Sequence, residues 1–494
     1  MTKENKLFYG DNLGVMRKYI GDETIDLCYI DPPFNSSRNY NRIYNNVGGE
    51  DAAQSVAFVD TWTWNDAAEE GLAEIRGNAR KLYTLKTMNL ANGLLNILER
   101  GSLFAYIISL TRRVSEIWRV LKPAGSFYLH CDPTASHYIK MMLDSVFCPR
   151  GGEFRNEIVW CYRGARYPKK DFGRRHDLIY RYTKSQACTF NLDEVREEYA
   201  PATKKRFAHY IGNKRQGKDF GEQSLHPLGK QPDDWWEVQP IAPSAKERLG
   251  YPTQKPEALL ERVIRASSNE GDTVLDAYCG CGTTVAVAQR LKRKWIGIDI
   301  TYQSISLILR RLENTYGVET LEGIELNGIP RDRESAIALA NKNDDKTRKE
   351  FEKWAVLTYS DNRAMINEKK GSDKGVDGAA FIAGADSSAQ KVLFSVKSGK
   401  TGVSHVRDLR GTVEREGAAG GILITLSPPT KDMMAEAASA GNMENIASAQ
   451  KIPKIKIVTV DDILDGERMA LPLVFEVVKK ARRDKGKNKS LDFG

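Results

Sequence analysis

Nowhere in its 494 residues does the chain carry an apolar run approaching the ~18 residues that cross a bilayer, which excludes a membrane-spanning helix. The opening residues, Met1-Thr2-Lys3-Glu4-Asn5-Lys6, lead into a strand with no apolar secretory stretch, so a soluble cytoplasmic protein is the expectation. Cysteine is sparse and odd in number: Cys28, Cys131, Cys148, Cys161, Cys188, Cys279 and Cys281. That argues for reduced thiols and against a disulfide framework. No Cys-x-x-Cys or histidine cluster occurs, and the one-residue gap between Cys279 and Cys281 is poor zinc spacing, so no structural metal is expected. No internal repeat is present.

What the chain does carry is positive charge. Lys and Arg number 74 against 65 Asp and Glu, a net charge of +9. Residues 161–220 hold 15 Lys and Arg against 7 Asp and Glu, an excess nearly equal to that of the whole protein. Aromatics are interleaved there: Tyr162-Arg163, Arg166-Tyr167, Arg181-Tyr182 and Lys205-Arg206-Phe207. Such a mixture suits phosphate contact with base stacking, Arg163, Arg166, Lys169, Lys170, Arg174 and Arg175 being the first candidates. A solvated basic face with surface tyrosines is the alternative.

Length implies two to four domains, and the periodicity reads as α/β. A short strand ends at Asp11, and a second, Ile25 to Ile30, ends at Asp31. Residues 35–100 read as a polar, aromatic loop (Tyr40, Tyr44, Trp62, Trp64) followed by helices. Helical spacing over 112–121 precedes a turn at Pro123-Ala124-Gly125 and a strand at 126–130. His130 and Asp132 read as structural or sheet-edge residues. Further on, a helix at 256–267, a strand at 273–276, a glycine turn, a helix to Leu291 and a strand at 295–299 follow one another.

Two motifs carry chemistry. Asp31-Pro32-Pro33-Phe34 puts a carboxylate at the carboxyl end of a strand, where open α/β sheets bind ligands. Its prolines remove two backbone donors and hold the chain extended, leaving the Pro32 carbonyl free beside an aromatic face. Together these suit a planar group with an exocyclic amine, although Asp-Pro-Pro alone also describes a plain strand-ending turn. The second is Asp276-Ala277-Tyr278-Cys279-Gly280-Cys281-Gly282-Thr283-Thr284, a strand, glycine turn and helix start, with Asp299 ending the next strand. An acid there can bond ribose hydroxyls, so a nucleoside-containing cofactor is expected. The turn is too short for a Walker loop, no Gly-Lys-Ser/Thr follows it, and the third glycine of the dinucleotide fingerprint is missing. Acids at strand ends suit S-adenosylmethionine better than a pyrophosphate.

With Tyr251-Pro252-Thr253-Gln254-Lys255-Pro256 between them, these motifs make the chain resemble a β-class DNA amino-methyltransferase over about residues 1–320. Tyr251 replaces the usual His. The resemblance implies a Rossmann-like S-adenosylmethionine-dependent methyltransferase fold with an inserted target-recognition region. It assigns catalysis to Asp31, Pro32, Pro33 and Phe34. The cofactor falls to Asp11, Pro252, Thr253, Gln254, Lys255, Asp276, Tyr278, Gly280, Gly282, Thr283 and Asp299. The substrate implied is double-stranded DNA, methylated by direct transfer to a flipped base. Asp in the first motif position favours adenine N6, the family's cytosine-N4 enzymes tending to carry Ser. Ring-carbon transfer is set aside, since no Pro-Cys dipeptide supplies a thiolate. A homodimer and a restriction or phage-defence setting are the corresponding expectations.

The domain reading is a catalytic half over 1–160, a target-recognition region over 161–235 and a cofactor half over 236–324. A linker (325–345), a second α/β domain (346–478) and a basic tail (479–494) complete it. In the second domain Asp377 and the Ser395-Val396-Lys397 triplet, with Glu352 in a preceding helix, resemble a restriction-endonuclease core of the Mrr-like kind. That implies Mg²⁺ at Asp377 and a protein that both modifies and cuts DNA, although Ser395 stands where a metal-binding Glu or Gln is usual. DNA binding without cleavage is the alternative.

Overall fold

The structure, a computed structural model, describes residues 4–34, 38–44, 53–60, 62–164, 168–208, 212–215, 218–222, 224–249, 251, 253–330, 332–340, 345–361, 363–367, 375–383, 389–444, 446 and 451–469. The described residues of 1–39, 59–248 and 253–328 form one compact unit, and those of 40–58, 249–252 and 329–494 a second. Pro252, Arg166 and the basic tail lie outside the described residues.

The first unit is built on nine strands: β1 (Asn5–Tyr9), β2 (Ile25–Ile30), β3 (Leu121–Cys131), β4 (Glu153–Cys161), β5 (His176–Thr183), β6 (Trp235–Glu237), β7 (Thr273–Asp276), β8 (Lys294–Asp299) and β9 (Ile324–Asn327). They form one sheet in the order β6-β4-β5-β3-β2-β7-β8-β1-β9, parallel throughout except that β5 runs against both its neighbours. Alternate residues serve opposite faces. Cys28, Ile30, Phe127, Leu129, Leu275 and Ile298 join a core with Met16, Ile107, Val114, Ile139 and Leu143, which come from the helices Asn12–Tyr19, Ser102–Val120 and Ser136–Phe147. Outside that cluster, the helices Glu257–Ser267, Thr283–Arg290 and Tyr302–Tyr316 bury Leu259, Val263, Val287, Ile305 and Ile308. Gly297 of β8 is pressed on this second side, where a Cβ would come within 3.1 Å of Leu7 and 3.2 Å of Val285. This is the open, largely parallel α/β architecture expected.

Strand order also fixes where a ligand belongs. The chain leaves β2 for β3 on one side and β7 for β8 on the other, so the crevice between β2 and β7 is a topological switch point. Asp31 follows β2 directly, and Asp276 is the last residue of β7.

Three sequence readings change. The aromatic loop contains two strands, Arg38–Tyr44 and Ala53–Asp60, which form a two-stranded sheet. Residues 325–345 are no plain linker, because Ile324–Asn327 pairs with β1 and Arg333–Ala340 is helical. The region 161–235 is not set apart either: β5 lies inside the sheet with Leu178 to Thr183 all buried. Its apolar run is masked by the cations of the preceding loop when composition is averaged.

A buried ion cluster braces the first unit. Glu116, fully buried in helix Ser102–Val120, accepts from Arg17 Nε at 2.8 Å, from Arg119 Nε at 2.7 Å and from Arg80. Arg17 also meets Glu74, to which Arg112 donates at 2.6 Å. Removing the central carboxylate leaves three guanidinium groups short of a partner. Glu116→Gln is therefore expected to destabilise this unit by about 3 kcal/mol, read as a lower urea midpoint; an unchanged midpoint would show that solvent compensates.

The second unit carries β10 (Met365–Ile366), β11 (Gly378–Ala383), β12 (Ala389–Lys397), β13 (Gly420–Thr425) and β14 (Ile455–Thr459), in that order across the sheet. β10, β11 and β12 are antiparallel, and β12, β13 and β14 parallel. Val406, Leu409 and Val413, at helical spacing in Val403–Arg415, pack with Leu393 and Leu423 of the sheet.

Candidate active site

Asp31 is half-buried, and its two oxygens have different fates. Oδ2 accepts from Lys255 Nζ at 2.5 Å, an ion pair between residues 224 apart in sequence. Oδ1 is buried with no hydrogen-bond partner among the described residues. No backbone donor reaches the Pro32 carbonyl among them either. A buried acceptor without a donor costs about 1–3 kcal/mol, so a donor brought to this corner would be bound favourably. Lys255 Nζ also lies 5.3 Å from the centre of the Phe34 ring.

Behind Phe34 stands His130, fully buried in the interior strand β3 and stacked on that ring at 5.7 Å and 26°. Burial first, then the nearby Lys255 charge, hold its imidazole below the usual range. The neutral ring accepts from the Tyr29 hydroxyl at Nδ1 (2.9 Å) and donates from Nε2 to Asp177 at 3.2 Å. Burial pushes Asp177 up, but the His130 and Tyr162 hydrogen bonds and the Lys255 charge outweigh it and lower its pKa. His130 thus lies at the centre of the sheet, not at an edge, and packs against the Asp31-Pro32-Pro33-Phe34 motif. Asp132 accepts from the Thr134 amide and hydroxyl, both at 2.9 Å, and shapes a turn.

Across the switch point the glycine turn adopts the conformation its residues allow. Gly280 and Gly282 take φ of +47° and +74°, and a Cβ on Gly282 would come within 2.6 Å of Ile308. Gly282 caps the helix Thr283–Arg290, whose first residue, Thr283, is buried. Asp276 is 4% exposed and accepts from the Tyr278 amide at 3.0 Å. Burial pushes its carboxyl up to about 7; the Asp31 and Asp299 charges add to this, against hydrogen bonds from Thr284 and Tyr278. Asp299 is also raised by burial, while accepting from the Gly280 amide (2.9 Å) and from the Thr301 amide (2.9 Å) and hydroxyl (3.0 Å). It therefore locks the glycine turn to the end of β8.

A model of the N6/N4 methyltransferase family, described as DNA methylase, matches residues 25–310, more than half the chain. The chain belongs to this family.

Among its relatives, Type II methyltransferase M.BglII of Bacillus subtilis is 33% identical over 244 residues, covering 47% of this chain and 66% of that protein. Type II methyltransferase M.HpaI of Haemophilus parainfluenzae is 35% identical, covering 41% and 58%. DNA adenine methyltransferase YhdJ of Escherichia coli strain K12 is 28% identical, covering 65% and 87%. The chain thus spans just under two thirds of the first relative and less of the second. A separate model, that of NACHT-associated inactive restriction endonucleases, matches residues 348–465.

The other motif residues lie on neighbouring elements of the same unit. Asp11 caps the helix Asn12–Tyr19, accepting from Gly14 N at 3.2 Å, and pairs with Arg113 at 2.6 Å. Asn12 ties the same loop to β7's end by donating to the Ala277 carbonyl at 2.7 Å. Thr253 takes φ +61°, rare for a β-branched residue. Gln254 anchors this strained segment by donating to the Glu247 carbonyl at 2.7 Å. Lys255, read from sequence as a cofactor-pocket residue, pairs with Asp31, and no local signal in the sequence marks that pairing.

Of the basic candidates, Lys169, Lys170 and Arg174 are exposed, Arg163 pairs with Glu237 at 2.7 Å, and Arg175 is partly buried. In the second unit the Asp377 carboxylate accepts from the Val396 amide at 2.6 Å. Ser395 is buried, and Glu352 lies in helix Asp345–Tyr359. Among the described residues no group of three or more His, Cys, Asp or Glu could hold a metal ion, so Mg²⁺ at Asp377 finds no support. The matched model is of inactive endonucleases, not of the Mrr-like nucleases expected.

Because Asp276 ionises less readily folded than unfolded, its contribution to stability is fully present below about pH 4 and is lost as pH rises to about 7. Asp276→Asn removes this loss. The variant is expected to gain stability relative to wild type across that window, measured as urea midpoints at its two ends; a constant difference would mean Asp276 is not held protonated.

Proposed function

We propose that the chain is an S-adenosylmethionine-dependent DNA methyltransferase acting on the N6 amine of adenine in a base turned out of the duplex. The observation that carries this reading is Asp31: one carboxylate oxygen is held by Lys255 and the other is buried with no donor among the described residues, beside the Pro32 carbonyl, which no described backbone donor reaches, and an aromatic face. An exocyclic amine brings two N–H donors, and Asp31 Oδ1 and the Pro32 carbonyl are two acceptors. Bonds to both favour a pyramidal nitrogen whose lone pair is withdrawn from the ring and faces the crevice. Phe34, backed by His130, offers the base a stacking surface. Once the nitrogen carries a surplus proton, Asp31 Oδ1 is its first acceptor.

The crevice residues fit the cofactor. Gly280 and Gly282 keep the turn free of side chains, and Asp31, Asp276 and Asp299 press three carboxyl groups together at adjacent strand ends, two of them with raised pKa. That electrostatic demand suits a ligand bearing an ammonium and a sulfonium. We assign its binding to Asp276, Tyr278, Gly280, Gly282, Thr283 and Asp299, with Asp11 and the 252–255 segment at the margins. When bound, S-adenosylmethionine supplies an electrophilic methyl group. Adenine is preferred over cytosine because Asp fills the first motif position, and one relative carries the name DNA adenine methyltransferase.

We read the second unit as a restriction-endonuclease-like module without cleavage, since Asp377 is tied to backbone and Ser395 offers a weak ligand. DNA as substrate and a restriction setting follow from the same reading.

Duplex DNA incubated with tritiated S-adenosylmethionine is expected to gain label on adenine N6, at least about a hundredfold more slowly with Asp31→Ala. Label on cytosine would overturn the choice of base, and equal rates for both proteins the assignment of Asp31. With Mg²⁺ or Mn²⁺ added, the DNA is expected to stay intact; breaks that disappear in Asp377→Ala would restore a working nuclease.

A further inference from the structure

The loop joining β4 to β5 emerges at the same edge of the sheet as Asp31, because β4 runs in the same sense as β2. Its base is closed by pairing of Cys161 with His176 and by the Tyr162 amide donating to the Arg175 carbonyl at 3.1 Å. Two to three strand spacings place it roughly 10–15 Å from the end of β2. In this loop Phe172 is 93% exposed, with no ring partner among the described residues. Lys169, Lys170 and Arg174 are exposed around it. Residues 162–175 include one acid, Asp171, whose carboxylate accepts the Phe172 amide at 2.8 Å.

A phenylalanine left in water forgoes about 2–3 kcal/mol of burial, and here it stands among three exposed cations of the same loop. We propose that Phe172 is a wedge that enters the base stack of duplex DNA beside the base delivered to Asp31, with Lys169, Lys170 and Arg174 on the flanking phosphates. The proposal rests on the methyltransferase reading and adds to it the device that opens the duplex. Turning out a base leaves a gap, and unstacking costs a few kcal/mol. An aromatic face filling that gap restores part of the stacking. A second copy of the chain is the rival occupant, and a net charge of +9 disfavours a contact of like basic loops.

The test compares tritiated methyl transfer by wild type, Phe172→Ala and Phe172→Trp on one plasmid DNA, intact and heat-denatured. In Phe172→Ala the ratio of duplex to single-strand rate is expected to fall at least about tenfold, and Phe172→Trp to keep it. Should wild type leave single strands untouched, a tenfold fall in kcat on duplex supports the wedge and an unchanged kcat overturns it. Equal losses on both templates, no loss on either, or a changed oligomeric state of Phe172→Ala on gel filtration would also overturn it. No transfer by wild type to either template sinks the methyltransferase reading itself, and the wedge falls with it.

Discussion

The ion pair between Lys255 and Asp31 is the contact on which the site depends. It can form only when the chain before the helix Glu257–Ser267 is folded over the end of β2, so it reports that both halves of the first unit are in register. It also divides the labour of one carboxylate. With Oδ2 committed to the ammonium, Oδ1 is buried without a donor among the described residues, where an unmade hydrogen bond is costly and a made one is correspondingly strong.

Around that pair the protein keeps its donors and acceptors apart. Tyr29, His130, Asp177 and Tyr162 satisfy one another beneath Phe34, so the stacking surface rests on a hydrogen-bonded layer in which the Asp177 charge is held by two donors. On the other side of the switch point the carboxyl groups are crowded, and burial with mutual repulsion raises Asp276 to about 7. One flank is electrostatically quiet and the other is starved of positive charge. Such asymmetry suits a planar neutral partner on the first flank and a cationic one on the second.

Much of this was legible in the chain. The strands ending at Asp31, Asp276 and Asp299 were readable because each is a short apolar run that stops at an acid, and the glycine turn because Gly280 and Gly282 occupy positions that demand positive φ. Less was readable where signals overlap. Strand β5 was hidden because exposed cations of the preceding loop sit beside six buried residues, and the strands over 38–60 because Arg38–Tyr44 is mostly polar and the apolar run of Ala53–Asp60 is short. His130 carried no mark of its place: one histidine at the end of a strand looks the same at an edge or at the centre. The Lys255–Asp31 pair was not readable, because the two residues lie in motifs far apart along the chain.

The sequence by itself determined the kind of sheet, the acids at its strand ends and the family, because these depend on local periodicity and on residues adjacent along the chain. Only the tertiary structure decided that Lys255 holds Asp31, that His130 backs Phe34 and that the basic loop with Phe172 shares the sheet edge of Asp31. Those relations span up to 224 positions and are set by strand order, which no local pattern records.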